Sequence, residues 1–212
     1  MTAPSSPRIS SRKQPQQARS TELVSAILEA AAQVLAREGA SRFTTARVAE
    51  KAGVSVGSVY QYFPNKAAIL FRLQSDEWRT TTGLLRDILQ DQARPPARRL
   101  RALVHAFVRS ECEEAGMRTA LSDAAPLYRD APEAREAKAA GAGIVHAFMT
   151  DALPGAPEAT RTMAGDLITS TLAQVGKGFS EVPRDEAEIT AFAEAMADMF
   201  EAYLERLSQA SP

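Results

Sequence analysis

Apolar residues along this chain recur at spacings of three and four, the period of helices rather than strands. From Ser20 onward, Leu23, Ile27, Ala30, Ala31, Val34 and Leu35 fall on one helical face. Ser20 suits an N-cap, Glu22 suits the helix dipole, and Gly39 is placed to end the helix. Two short helices are predicted next. One runs from Thr45 to Ala52 with Thr44 as its cap, and one from Val56 to Phe63 with Ser55 as its cap. Gly53 and Val54 make the turn between them, and Pro64 breaks the second. Asn65 then caps a fourth helix starting at Lys66, long and amphipathic through Ile69, Leu70, Leu73, Leu84, Leu85, Ile88 and Leu89. After Arg94-Pro95-Pro96, further helices are predicted at about 97–114, 117–128, 132–153, 158–180 and 185–208, with Gly116, 129–132, 154–157 and Pro183 as separators. No strand-like alternation of useful length and no internal repeat breaks this pattern. The expected fold is all-α, about nine helices, with three short ones ahead of a larger bundle.

Composition changes this picture mainly at the front. Residues 1–18, MTAPSSPRISSRKQPQQA, have no apolar periodicity and read as a disordered basic arm. That arm either touches a polyanion or is a solvated tail. The expected organisation is the arm, a head at 19–65 and a body at 66–212. The net charge of −1 conceals an asymmetry: through Lys66, nine cations against four anions give +5, which leaves −6 for the remainder. Only the front third is therefore suited to a polyanion. A single cysteine, Cys112, excludes an internal disulfide framework and a cysteine-rich zinc site, and its neighbours Glu113 and Glu114 disfavour a thiolate. No stretch approaches the ~18–20 apolar residues of a membrane helix. The basic N-terminus is not followed by an apolar segment, so no signal peptide and a cytoplasmic protein are expected.

The informative segment is FTTARVAEKAGVSVGSVYQYFPNKAAIL, residues 43–70. Ala49 is small where two helices must approach, Gly53 permits the turn, and Val48, Val54 and Val59 point inward. That is a helix-turn-helix, whose second helix enters the DNA major groove. Ser55, Val56, Gly57, Ser58 and Gln61 face outward and are short or amide-bearing, fit for base edges and thymine methyls. Thr44, Thr45, Tyr60, Tyr62 and Lys66 offer hydroxyls and an ammonium for phosphates, and Arg47 adds a cation.

These residues resemble the TetR family, whose signature is a first helix ending in Gly, then T-x-x-x-(I/V/L)-A-x-x-A-G-V-S-x-G-(S/T)-(I/V/L)-Y-x-(Y/H)-F-x-x-K-x-x-L. The chain supplies Gly39, Thr44, Val48, Ala49, Ala52, Gly53, Val54, Ser55, Gly57, Ser58, Val59, Tyr60, Tyr62, Phe63 and Lys66, with the apolar pair Ile69-Leu70 one place late. Arg47 departs from the pattern, since the family often carries an acid there. The resemblance covers residues 20–70 closely. It implies a homodimeric DNA-binding regulator, by default a repressor, released from a palindromic operator when a small-molecule effector, apolar in character, enters the C-terminal bundle.

The remaining helices bear on that implication unevenly. Ile189, Phe192, Met196, Met199, Phe200, Tyr203, Leu204 and Leu207 form a broad stripe on the last helix; Met163, Leu167, Ile168, Leu172, Val175 and Phe179 form one on the helix before it. The stripes either pair across a two-fold axis or pack inward. Candidate effector contacts are Trp78, His105, Phe107, Met117, Tyr128, His146, Met149 and Gln174, each of which could equally be an ordinary core or surface residue. His105 and His146 belong to no ligand-spaced cluster, so neither a metal nor a cofactor is expected. An enzyme is disfavoured because no phosphate loop, nucleophile elbow or paired acidic motif occurs. A purely structural helical module would leave the basic front third and the outward polar helix unexplained.

Overall fold

The computed structural model describes residues 9, 18–127 and 131–209. Among them the chain forms nine α-helices and no strand, close to the predicted boundaries: α1 Ala18–Arg42, α2 Thr45–Lys51, α3 Val56–Tyr62, α4 Lys66–Leu89, α5 Pro96–Glu113, α6 Ala115–Ala124, α7 Pro132–Ala152, α8 Glu158–Ser180 and α9 Glu186–Gln209. One 3₁₀ turn, Ala125–Leu127, follows α6. Two local expectations need correction. Ser20 lies inside the first turn of α1 rather than capping it, because nothing at Ala18 or Arg19 opposes helix. Gly116 lies inside α6, and the break falls at Glu114, whose N–H still bonds the Ser110 carbonyl. Gly39 does interrupt α1, at φ 74°. Of the predicted arm only Ile9 and the Ala18 backbone are described; Ile9 is half-buried against the front core.

The chain divides into two compact units. The first runs to Trp78 and takes in Gly116–Arg135, so it includes the first half of α4, together with α6, as well as the predicted head. Its core joins Ile27, Ala31 and Leu35 of α1 to Val48 and Ala49 of α2, Val59 and Tyr62 of α3, Ile69 and Leu70 of α4, and Leu121 of α6. Burying each of the larger aliphatic residues is worth about 1.5–3 kcal/mol over leaving it exposed. Arg118 of α6 also reaches Glu77 of α4 at 2.6 Å.

The second unit comprises Arg79–Ala115 and the chain from Glu136. Leu100, Val104 and Val108 give α5 an inner face against α8 and α9. Small residues set the closest approaches. A Cβ on Gly165 would lie 3.0 Å from Val145 of α7, and one on Gly176 3.2 Å from the Phe107 ring of α5. Outside that core an ionic seam joins α5 to α9. Arg101 reaches Glu194, Asp198 and Glu201, His105 lies 3.2 Å from Glu194, and Arg109 pairs with Glu186. Hydrogen bonds to Glu201 and Asp198 hold the Arg101 guanidinium above its ordinary pKa, and Arg109 pulls the Glu186 carboxyl below its own.

Arg99 is the one fully buried cation among the described residues, at 2% exposure. Its Nη1 donates to the Leu89 carbonyl at 2.6 Å, its Nη2 pairs with Asp151, and its guanidinium lies 5.4 Å from the Phe148 ring centre. One side chain thus ties the end of α4 to α5 and α7, with the last carbonyl of α4 receiving a positive charge as its dipole favours. Asp151→Ala is expected to lower stability by about 1–3 kcal/mol in urea denaturation, since the guanidinium stays buried and loses its carboxylate. An unchanged midpoint would mean that the Leu89 carbonyl and the Phe148 ring suffice for Arg99.

Candidate nucleic-acid interface

Three side-chain caps and one glycine turn shape the front surface. Thr44 is extended, and its Oγ1 accepts from the Arg47 N–H at 3.2 Å, which starts α2. Gly53 takes φ 68°, and the Val54 N–H returns to the Ala49 carbonyl at 3.0 Å, closing the turn. Ser55 Oγ accepts from the Ser58 N–H at 3.0 Å and lies 2.8 Å from Ser58 Oγ, which starts α3. Asn65 Oδ1 accepts from the Ala68 N–H at 2.9 Å, which starts α4.

Within α3 the two faces separate cleanly. Val59 is completely buried and Tyr62 is 7% exposed, while Val56 and Tyr60 are 40% and 42% exposed beside exposed Gly57 and Gln61. Val56 and Tyr60 are four residues apart, as are Gly57 and Gln61, so the four form one outward strip. Ser55 is exposed, and Ser58 is half-buried with its hydroxyl engaged by Ser55. Thr44, Arg47 and Lys66 are exposed as well. Thr45 and Tyr62, assigned from sequence to phosphates by their hydroxyls, instead turn into the core, Thr45 at 8% exposure. Tyr62 is three residues after Val59 and therefore shares its inner face. Sequence reading missed Glu38, which pairs with Arg47 from the last turn of α1 before the Gly39 bend. The two are nine positions apart and on different helices, so no helical period could join them.

This geometry is accompanied by matches to known proteins. Residues 27–73 match the bacterial regulatory proteins of the tetR family, and residues 95–207 match the tetracyclin repressor-like C-terminal domain. The chain belongs to the TetR family. It is a DNA-binding transcriptional regulator with an N-terminal helix-turn-helix and a C-terminal helical domain. A nucleoid occlusion factor, SlmA of Vibrio campbellii, is 32% identical over 105 residues, which are 49% of this chain and 53% of that protein. The chain thus matches about half the length of that relative. Among solved structures, a TetR-family transcriptional regulator of Mesorhizobium loti superposes with a TM-score of 0.70 at 16% identity, over 88% of this chain and 98% of that one. The fatty acid degradation regulator FadR of Bacillus halodurans gives 0.67 at 18% identity, over 88% and 96%. At these identities the structural likeness shows the fold.

In this TetR-family regulator the residues singled out as effector contacts go to different surroundings. Trp78 and Met117 pack half-buried on the front core, Trp78 edge-on to Phe71 at 6.3 Å. In the rear unit His105 is drawn to Glu194, Phe107 lies against Gly176 of α8, and Met149 is buried beside Gly165. His146 and Gln174 are exposed, and Tyr128 lies outside the described residues. Cys112 is half-buried and its thiol is pushed up, first by burial and then by Glu111 and Glu113, against a lowering by Arg184. Among the described residues no helix is long and apolar enough to cross a membrane.

The turn makes a direct prediction. Nothing lies within 4 Å of a Cβ built at residue 53, so Gly53→Ala strains only the backbone. It is expected to cost about 1–2 kcal/mol in urea denaturation, the penalty for a left-handed residue with a Cβ. Full stability in this variant would show that the turn does not need the positive φ.

Proposed function

We propose that the protein is a repressor that binds a palindromic operator as a homodimer and releases it when a small apolar effector occupies its C-terminal domain. The observation that carries the DNA part is the sidedness of α3, which buries Val59 and Tyr62 and leaves Val56, Gly57, Tyr60 and Gln61 exposed. Gln61 can bond adenine through its amide, Val56 can meet a thymine methyl, and exposed Tyr60, Thr44 and Lys66 can bond phosphates. Gly57 supports the same reading. A Cβ there would meet only Ser55 Oγ at 3.7 Å, an ordinary contact, so the fold gives no reason for glycine. Close approach of DNA to the first turn of α3 would give one.

Dimerisation is supported by the way the apolar stripes divide. Ile168 and Leu172 of α8, and Ile189, Met196, Phe200 and Leu204 of α9, are buried in the rear core. Met163, Leu167 and Val175 of α8 and Met199 of α9 are large, apolar and exposed. A two-fold pairing of these helices would cover them, and a dimer reading successive major grooves needs its two copies of α3 about 34–36 Å apart, one turn of DNA. Release by an effector rests on family resemblance and on α4, one continuous helix from Lys66 to Leu89 that links the reading head to the domain fixed by Arg99. The effector must prefer the state that cannot hold DNA, and DNA then weakens effector binding by the same factor. The reading places the protein in the cytoplasm with its operator.

Gly57→Ala tests the DNA reading without touching the fold. The variant should be as stable as the wild type, or more so by up to about 1 kcal/mol, because alanine replaces glycine within a helix. Its affinity for duplex DNA should nonetheless fall severalfold or more, measured by fluorescence anisotropy. In the same assay Lys66→Ala should weaken all sequences alike and flatten the salt dependence. Unchanged affinity in both variants would remove this face from the DNA contact.

A further inference from the structure

The Glu38–Arg47 pair lies at the start of α2 and takes one of the front unit's cations out of play. Arg47 is on the outer side of α2, three residues after Thr44, and its Nη1 is joined to Glu38 Oε2. Both side chains are open to water, 44% and 34% exposed. The pair is a cross-link between helices rather than an accident of one helix. Glu38 ends the regular part of α1, and Gly39, at φ 74°, turns the chain so that α1 packs on α2.

An exposed pair of this kind adds little to folding, because water solvates both partners almost as well as they solvate each other. A buried guanidinium such as Arg99 must keep its partner, whereas Arg47 can exchange its carboxylate for another anion at small cost. Phosphate suits a guanidinium at least as well as carboxylate, through the same two-pronged geometry. Resting on the DNA-binding reading above, we infer that Glu38 is an autoinhibitory contact: it occupies Arg47 in the free protein as a stand-in for DNA phosphate and must be displaced when DNA binds.

The exchange has a signature in ions as well as in affinity. When Arg47 takes a phosphate, DNA releases about 0.9 of a counterion, but the Glu38 carboxylate it leaves keeps a negative charge beside the DNA and offsets part of that release. Without that carboxylate the release is uncompensated. Glu38→Gln should therefore tighten binding about two- to fivefold at low salt, the range open to an exposed pair, and steepen the salt dependence by up to about one ion. In an Arg47→Gln background the same change should do much less, since no guanidinium remains to be unmasked. The contact keeps non-specific affinity low, so that base contacts from α3 weigh more in choosing a site.

The experiment uses the full chain and a fluorescein-labelled random-sequence duplex of about 30 base pairs, long enough for a dimer to span two half-sites. It is titrated at several salt concentrations with wild type, Glu38→Gln, Arg47→Gln and the double variant. Thermal midpoints are measured alongside and should agree across the four proteins. The proposal expects tighter binding and a steeper salt slope for Glu38→Gln, both largely abolished by Arg47→Gln. Three results overturn the clasp while leaving the DNA reading intact. Weaker binding by Glu38→Gln would mean that the pair orients Arg47 for DNA, and no change would mean that Arg47 meets no phosphate. An equal gain with and without Arg47 would mean that Glu38 acts only as a distant negative charge. If the wild type shows no salt-dependent binding, the DNA reading fails and the clasp fails with it.

Discussion

A helix of seven residues has almost no stability of its own in water, so α3 exists only because its inner face is buried. Val59 and Tyr62, with Phe63 beyond the end of the helix, enter the front core against α1, α2 and α4. That single constraint fixes which residues look outward. The caps at Thr44, Ser55 and Asn65 start the helices at the required places, and Gly53 sets the turn between α2 and α3. A chemically plain strip, Val56, Gly57, Tyr60 and Gln61, is turned toward solvent because packing on the other side leaves it no choice.

The rear unit follows the same physical logic with a different outcome. Its core is satisfied by Leu100, Val104, Phe148, Ile168, Leu172 and Phe200, and still Met163, Leu167, Val175 and Met199 remain outside. Charge is handled in two ways. Arg99, buried and held by the Leu89 carbonyl and by Asp151 at the surface, is a fixed joint at the end of α4. The seam of Arg101, His105 and Arg109 on α9 carboxylates lies at the surface, half-buried at Arg101–Glu201 and open at Arg109–Glu186, and aligns α5 with α9. Glu38 and Arg47 belong to the second kind, which is why that pair can be exchanged.

Local signals were legible in the sequence. A threonine, a serine and an asparagine ahead of apolar periods located three helix starts, and glycine located the bend in α1 and the turn after α2. Such signals depend on neighbours three or four residues away, and one chain contains them all. What escaped depends on packing between distant segments. The Glu38–Arg47 contact and the pairing of Arg99 with Asp151, 52 positions away, leave no periodic trace. The inward turn of Thr45 and Tyr62 does leave one, three residues from Val48 and Val59, but their hydroxyls suggest phosphate contacts instead. The candidate effector contacts show the same gap. A histidine or glutamine on an apolar helix is visible in sequence, but whether it faces a cavity, an acid or water is not; His105 meets Glu194, and His146 and Gln174 meet solvent.

The central claim is that two copies of α3 read a symmetric DNA site. Its most direct test is to incubate the purified protein with random genomic fragments, recover what stays bound, and sequence it. The account predicts an enriched palindrome whose half-sites are separated by about one helical turn, or a multiple of it. Recovery of fragments with no shared motif, held only by salt-sensitive binding, would contradict it.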